Sequence, residues 1–172
     1  QIINPDAYID QSNNITPNSF NFADWRLVQA AALAKTSIRI QGDSVEVDLY
    51  VYDVNQGIPI LGKRLKATKR NLTSVSHKVA GHILQALTGQ ESFFEDKLIM
   101  VGEKTGNKEI YVVGLDGSDP KRVTKNGSIN LSPSWSPKGT ELAWTSYKRQ
   151  NPDLYIKNLA TGRVRALSTK QG

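Results

Sequence analysis

The chain has 172 residues, of which 38% are hydrophobic and 22% charged, so it can bury a sizeable core and is too apolar to be disordered. It contains no cysteine and only two histidines, which excludes disulfides and thiol catalysis and leaves little for metal or acid–base chemistry. The formal net charge is +6, and no apolar run approaches the ~20 residues that span a bilayer, so we expect no membrane insertion.

Residues 1–90 predict a domain of class α+β. Residues 1–20 are rich in Asn, Pro and Ser and predict a loop, after which Asp24 can cap a helix. Helix propensity alone would extend that helix to about Lys35. Alternating apolar residues then predict a three-stranded meander. Its strands are expected at 37–40, 45–54 and 63–68.

A second helix is predicted after the meander. Thr73 or Ser74 can cap its start. Apolar residues recur at every fourth position from Val75 to Leu87, and Gly89 stands where a C-terminal cap is expected. The first domain is therefore expected to consist of a helix, a three-stranded meander and a second helix.

The second half of the chain contains an internal repeat. A shift of 44 residues aligns Leu98 with Leu142 and Tyr111 with Tyr155, without a gap. Short apolar runs separated by turn signals, in a period of this size, are typical of one four-stranded blade of a β-propeller. We therefore assign 91–172 to about two blades. A closed propeller needs at least four blades, so we expect an incomplete β-propeller.

A hairpin signal lies between the two copies of the repeat. Pro137 and Gly139 suit a tight turn, and Trp135 precedes them as a large apolar anchor. The string Ser132-Pro-Ser-Trp-Ser-Pro-Lys-Gly139 resembles the WSPDG hairpin of WD40-like repeats, with Lys138 where that family usually has Asp. We expect this tryptophan, like Trp144, to lie in the core rather than to stack on a ligand.

The order of the parts resembles the TolB family. A small α/β domain whose last helix ends in Leu87-Thr88-Gly89 is followed within ten residues by a blade strand. The likeness covers 22–89 for the N-terminal domain and 94–172 for the blades. It implies that Ala32–Arg39 begins a strand instead of prolonging the first helix. It also implies that this domain's first strand and helix, the family's N-terminal tail and about four blades are missing, so we expect a fragment or a processed protein.

Motifs that could carry chemistry are interpreted as structural. The run from Gly57 to Lys63 fits the start of a P-loop, but Arg64 follows where magnesium needs a hydroxyl ligand. The segments Asp53–Gly57 and Asp116–Asp119 lack the bidentate Glu of a calcium loop. Since no G-x-S-x-G motif occurs either, we expect no catalytic, cofactor-binding or metal-binding residue. A binding scaffold is favoured over an enzyme.

Propeller geometry predicts where a partner would bind. The loops that run from the outer strand of one blade to the inner strand of the next gather at one end of the central channel. In this chain they are 125–131 and 169–171. The first loop mixes apolar and amide side chains, which suits a partly dry protein contact. The candidate contact residues are Ser128, Ile129, Asn130, Leu131, Thr169, Lys170 and Gln171.

The resemblance to TolB implies a periplasmic protein of the Tol–Pal envelope system. Members of that family bind the lipoprotein Pal through the propeller and bind TolA through the N-terminal tail. They serve outer-membrane integrity, cell division and colicin import. Without the tail and most blades, TolA binding by that route is not expected and Pal binding should be weak.

Two other functional classes remain open. The first is the propeller of a prolyl-oligopeptidase-type peptidase, whose nucleophile lies in a separate hydrolase domain. The second is a nucleic-acid-binding module that uses the basic block at 63–78. That block has no interleaved aromatic residue on which bases could stack, so we expect a solvated surface and no nucleic-acid partner. Its cations are Lys63, Arg64, Lys66, Lys69, Arg70 and Lys78.

Overall fold

The computed structural model describes residues 2–10, 14–16 and 19–168 of the chain. The chain divides into two compact units, Gln1–Glu95 and Asp96–Gly172. The first unit contains two clusters of buried hydrophobic residues and the second unit contains one. Within the described ranges, every helix is too short or too polar to cross a membrane.

The first unit combines two helices with one antiparallel sheet. Its three strands pair in their order along the chain. The helices are α1 (Phe22–Leu27) and α2 (Leu72–Thr88), and the strands are β1 (Ala32–Gln41), β2 (Ser44–Asp53) and β3 (Ile58–Thr68). Short 3₁₀ turns lie at Pro5–Ala7 and Lys69–Asn71.

Helix α1 ends earlier than propensity alone predicts. Gln29 has a left-handed φ of 58°, and the backbone N–H of Ala30 donates to the carbonyl of Trp25 at 3.0 Å, which closes the helix. Strand β1 then begins at Ala32, where the resemblance to TolB put it, and not after Lys35. Pairing with β2 along its whole length outweighs the helix propensity of the alanines, because tertiary contacts override so weak a preference.

The helix caps differ in detail from those predicted. Asn21 caps α1, since its side chain accepts from the backbone N–H two residues later at 3.0 Å, while Asp24 lies in the first turn. Helix α2 begins at Leu72, so the predicted caps at 73–74 are inside its first turn. At the other end Gly89 adopts a left-handed φ of 72°, as predicted for a C-terminal cap.

Strand β3 is longer than predicted. It starts at Ile58, five residues before the predicted start at Lys63. The turn itself is tighter, with Gly57 at a φ of 70° and its N–H donating to the carbonyl of Asp53 at 2.9 Å. Pro59 fits because β3 is an edge strand, where a missing N–H costs little.

Strand β2 separates two cores on opposite faces of the sheet. On one face Val45 and Val47 pack against Val75 of α2. On the other face Tyr52 packs against Trp25 of α1. The alternation of side chains along a strand produces both faces from one run of residues.

The second unit consists of two antiparallel sheets. One sheet has three strands and the other has four, and within each sheet neighbouring strands are consecutive along the chain. The first unit combines helices with a sheet, and the second unit contains sheets in its described residues. This agrees with the coarse fold class expected from the sequence, an α+β domain followed by β-sheets. The strands are β4 (Lys97–Gly102), β5 (Glu109–Gly114), β6 (Lys121–Arg122), β7 (Asn130–Trp135), β8 (Glu141–Ser146), β9 (Asp153–Asn158) and β10 (Val164–Ser168).

The predicted hairpin joins β7 to β8. Gly139 has a φ of 66°, and its N–H donates to the carbonyl of Ser136 at 2.9 Å, so Pro137 lies in a closed turn as expected. Trp135 is half-buried beside this turn. The hairpin therefore sets the pairing of the first two strands of the four-stranded sheet.

The two sheets of the second unit share one core. Ile110 of β5 packs against Trp144 of β8 and Tyr155 of β9. The two aromatic rings are stacked with centroids 6.1 Å apart, and Trp144 is only 4% exposed. Trp144 thus acts as the core anchor that the sequence predicted, while Trp135 is more exposed.

Candidate partner-binding site

Three connections meet at one end of the two sheets of the second unit. They are the β4–β5 turn (103–108), the β6–β7 connection (123–129) and the β8–β9 turn (147–152). Their backbones are bonded to one another: Asn130 N–H donates to the Lys108 carbonyl at 2.8 Å, and Tyr147 N–H donates to the Ile129 carbonyl at 2.9 Å. We call this the loop end. It contains most of the first of the two loops that were predicted to bind a partner. The last two residues of that predicted loop, Asn130 and Leu131, begin strand β7 instead.

Asn130 lies inside the unit. It is 0% exposed, and its side-chain amide is within hydrogen-bonding distance of the carbonyls of Lys108 (3.0 Å) and Ser128 (2.9 Å). The prediction that this side chain touches a partner is therefore corrected. An amide that satisfies two backbone carbonyls holds the loops in place and presents nothing to the surface.

A buried carboxylate lies beneath the same loops. Glu109, at the start of β5, is 2% exposed and accepts from the N–H of Gly127 at 3.3 Å and from the amide of Asn130 at 3.2 Å. The hydroxyl of Thr124 also donates to it, and the oxygen of that hydroxyl accepts from the N–H of Ile110 at 2.8 Å. Several donors on one carboxylate compensate for its burial.

Asn126 completes this network from the loop itself. Its amide donates to the side-chain oxygen of Asn130 at 3.0 Å and to the hydroxyl of Ser146 at 3.1 Å. Its side-chain oxygen accepts from the N–H of Ser128 at 3.2 Å. The loop therefore has a defined conformation before any partner arrives.

Sequence reasoning missed this polar network, although the repeat contained a signal for it. The 44-residue shift aligns Glu109 with Asp153 and Thr124 with Ser168, so an acid and a hydroxyl recur at equivalent positions. Asp153 is buried as well and accepts from the hydroxyl of Tyr155 at 3.1 Å. Buried acids at the start of β5 and of β9, at equivalent positions of the two copies, indicate a structural role.

The outer surface of the loop end is formed by other side chains. Ile129 is 45% exposed, and Tyr147 next to it is 37% exposed. Ser128 and Leu131 are half-buried, so two of the predicted residues are only partly available. The remaining predicted residues, Thr169, Lys170 and Gln171, lie outside the residues that the structure describes.

The two histidines of α2 do not form a site. His82 is partly buried, with its Nδ1 atom 3.5 Å from the ammonium of Lys63. Burial first, and then the nearby positive charge of Lys63, lower the pKa of His82. In the described parts of the chain, no group of three or more histidines and carboxylates is placed to hold a metal ion.

The basic block at 63–78 is partly neutralised by the neighbouring strand. The guanidinium of Arg64 is 2.6 Å from the carboxylate of Asp48, and the ammonium of Lys66 is 3.2 Å from that of Glu46. The hydrogen bond from Arg64 lowers the pKa of Asp48. These pairs make this face of the sheet a solvated and partly neutralised surface and give no support to nucleic-acid binding.

Two family models match the chain. The model of the TolB beta propeller domain matches residues 84–172, and the model of the TolB amino-terminal domain matches residues 1–60. Together these matches agree with the order of the two units in the structure.

Similar proteins carry the same description. The Tol-Pal system protein TolB of Desulfosudis oleivorans is 34% identical over 99% of this chain and 39% of its own length. That of Geobacter sulfurreducens is 39% identical over 74% of this chain and 30% of its own length. The crystal structure of TolB from Acinetobacter baumannii superposes with a TM-score of 0.78 and 25% identity, over 90% of this chain and 40% of that one. The chain therefore spans about two fifths or less of the length of these relatives.

Proposed function

Because this chain belongs to the TolB family, we propose that it is a non-catalytic, protein-binding scaffold of the Tol–Pal system that works in the periplasm. Its curated relatives are named as proteins of that system, which supports partners within it. We propose Pal as the partner of the propeller part. The proposal includes roles in envelope integrity, cell division and colicin import. It also includes TolA binding through the N-terminal tail of longer members of the family.

The proposal includes a domain organisation. We assign 1–90 to the N-terminal domain and 91–172 to about two propeller blades, one for each sheet of the second unit. The antiparallel order of both sheets and the shared core around Trp144 support this assignment. Two blades form an incomplete propeller, in which the binding end is represented by the loops of two blades only.

The proposed binding site rests on one observation. At the loop end an exposed apolar pair, Ile129 and Tyr147, stands on loops that are held by the buried side chains of Asn130 and Glu109. A preorganised loop loses little conformational entropy when it binds, so more of the contact energy appears as affinity. Apolar side chains surrounded by polar ones are also the usual composition of a protein interface.

The test is a titration of the chain with purified Pal by isothermal calorimetry. We expect Ile129→Ser to weaken binding by about fivefold, since it removes one apolar contact of about 1 kcal/mol. The matched control is Leu115→Ser, because Leu115 is 43% exposed at the opposite end of the sheets and should not touch Pal. Absence of Pal binding by the unmodified chain, or equal losses in the two variants, would contradict the proposal.

A further inference from the structure

The two ends of the sheets in the second unit differ in charge. The opposite end, which we call the turn end, consists of the connections 115–120, 136–140 and 159–163. These contain two cations, Lys138 and Arg163, and two carboxylates, Asp116 and Asp119. The three connections of the loop end instead contain five cations and one carboxylate. They are Lys104, Lys108, Lys125, Lys148, Arg149 and Glu103.

The cations of the loop end are exposed and weakly neutralised. Lys108 lies 3.6 Å from Glu103, and a pair so exposed contributes little. The ammonium of Lys148 lies 4.1 Å from the ring centroid of Tyr155. Within the described residues, no carboxylate is within ion-pair distance of the three other cations. These are Lys104, Lys125 and Arg149.

Two further carboxylates lie near this end but are directed inward. Glu109 and Asp153 are buried and bonded to groups of their own unit. They offer no oxygen to a partner, and five cations still exceed three carboxylates when both are counted. The loop end therefore presents a positive potential toward solvent, and the turn end does not.

We propose that the loop end docks a protein partner whose surface carries several carboxylates around an apolar contact. This rests on the proposed function, because it names the chemistry of the partner at the same site. Ile129 and Tyr147 supply the apolar centre, and the cations around them supply the rim. Charges at a rim steer the encounter and set the orientation, so we expect the rate of association to depend on them strongly.

A protein fits this surface better than a nucleic acid does. Binding of single strands uses several aromatic rings on which successive bases stack. Tyr147 is the exposed aromatic residue in the three connections, and its neighbour Ile129 is aliphatic. An isolated ring beside an aliphatic side chain suits an apolar protein contact.

The test compares two double variants that change the net charge equally. Lys125→Glu with Arg149→Glu alters the loop end, and Lys138→Glu with Arg163→Glu alters the turn end. Each replaces one lysine and one arginine at exposed positions. The backbone N–H of Arg163 donates to the hydroxyl of Thr161, but within the described residues the four side chains themselves make no hydrogen bond or ion pair. Circular dichroism is used to confirm that both variants are folded.

The probe is a fluorescein-labelled peptide of alternating glutamates around a Leu-Phe centre, measured by fluorescence anisotropy. We expect the unmodified chain to bind it at low salt and to lose affinity as salt rises above about 0.1 M. The loop-end variant should bind about tenfold more weakly, and the turn-end variant should bind like the unmodified chain. A peptide with lysine in place of glutamate should not bind.

Three results would overturn the proposal: no binding of the acidic peptide, equal loss in both variants, or tighter binding of a DNA duplex than of the peptide. The Pal titration separates this proposal from the proposed function. If Pal binds and the acidic peptide does not, only the acidic-partner proposal is wrong. If the peptide binds at the loop end and Pal does not, only the identity of the partner is wrong.

Discussion

Asn130 shows why an amide in a predicted binding segment need not lie at the surface. The sequence predicts it in a loop and at the surface, yet it is the first residue of β7, is 0% exposed and lies against the carbonyl of Lys108 and the carboxylate of Glu109. A buried carboxylate without hydrogen-bond donors is destabilising, and the Asn130 amide supplies a donor to Glu109. The amide therefore stabilises the unit from inside. Ile129, the predicted contact residue beside it, is exposed and remains available for the proposed partner contact.

Replacing this amide should therefore reduce stability. We expect Asn130→Ala to lower the free energy of unfolding by about 3 kcal/mol, because it leaves buried acceptors without a donor. The measurement is urea unfolding followed by circular dichroism. Asn151→Ala is the control, because Asn151 is exposed in the 147–152 turn and should cost less than about 0.5 kcal/mol. Similar losses for both variants would show that the network contributes little.

At the scale of elements, the central strand β2 is tied to both neighbours by one carboxylate. Asp48 is paired with Arg39 of β1 at 2.7 Å and with Arg64 of β3 at 2.6 Å. The hydrogen bond from Arg64 is the largest influence on the pKa of Asp48, which lies below its ordinary value of 3.8. These ion pairs therefore connect the three strands on the face of the sheet opposite α2.

This arrangement predicts a dependence of stability on acid pH. A carboxyl whose pKa is lowered by folding contributes stability above its unfolded pKa and loses that contribution as pH falls through the folded pKa. We expect the unfolding free energy of the first unit to fall below about pH 4. Asp48→Asn should flatten that fall, whereas Asp43→Asn, at an exposed turn, should leave it unchanged. The measurement is urea unfolding at a series of pH values. Curves of equal slope for Asp48→Asn and the unmodified chain would contradict the assignment.

Local sequence patterns predict some limits of the helices and strands correctly and others wrongly. Gly89 was expected to end α2 and does so, because a left-handed residue at a helix terminus is a local requirement. Helix propensity alone extends the first helix too far, whereas the resemblance to TolB placed the start of β1 correctly at Ala32, and the third strand was predicted too short. Their limits depend on pairing with β2, and short windows of sequence contain no information about that pairing.

At the scale of the whole molecule, two compact units with separate cores should respond separately to a core substitution. We expect Trp144→Ala to destabilise the second unit by about 4 kcal/mol, because a large buried ring leaves a cavity. Hydrogen exchange read by mass spectrometry should show lost protection in β4 to β10 and unchanged protection in β1 to β3. The control is Trp135→Ala, at a half-buried position, which should cost clearly less. Equal loss in both units would mean that they unfold as one.

The sequence by itself determined the repeat, the hairpin between its copies and the change from an α+β domain to sheets, because turns and periodicity are properties of short segments. The resemblance to the TolB family rested on these features. Only the tertiary structure decided that Asn130 is internal and that Glu109 lies buried beneath the loops. It also decided that Lys104, Lys125 and Arg149 lie at one end of the second unit. Burial and convergence of this kind depend on how strands pair and how sheets pack, so residues distant in sequence acquire a common role only after folding.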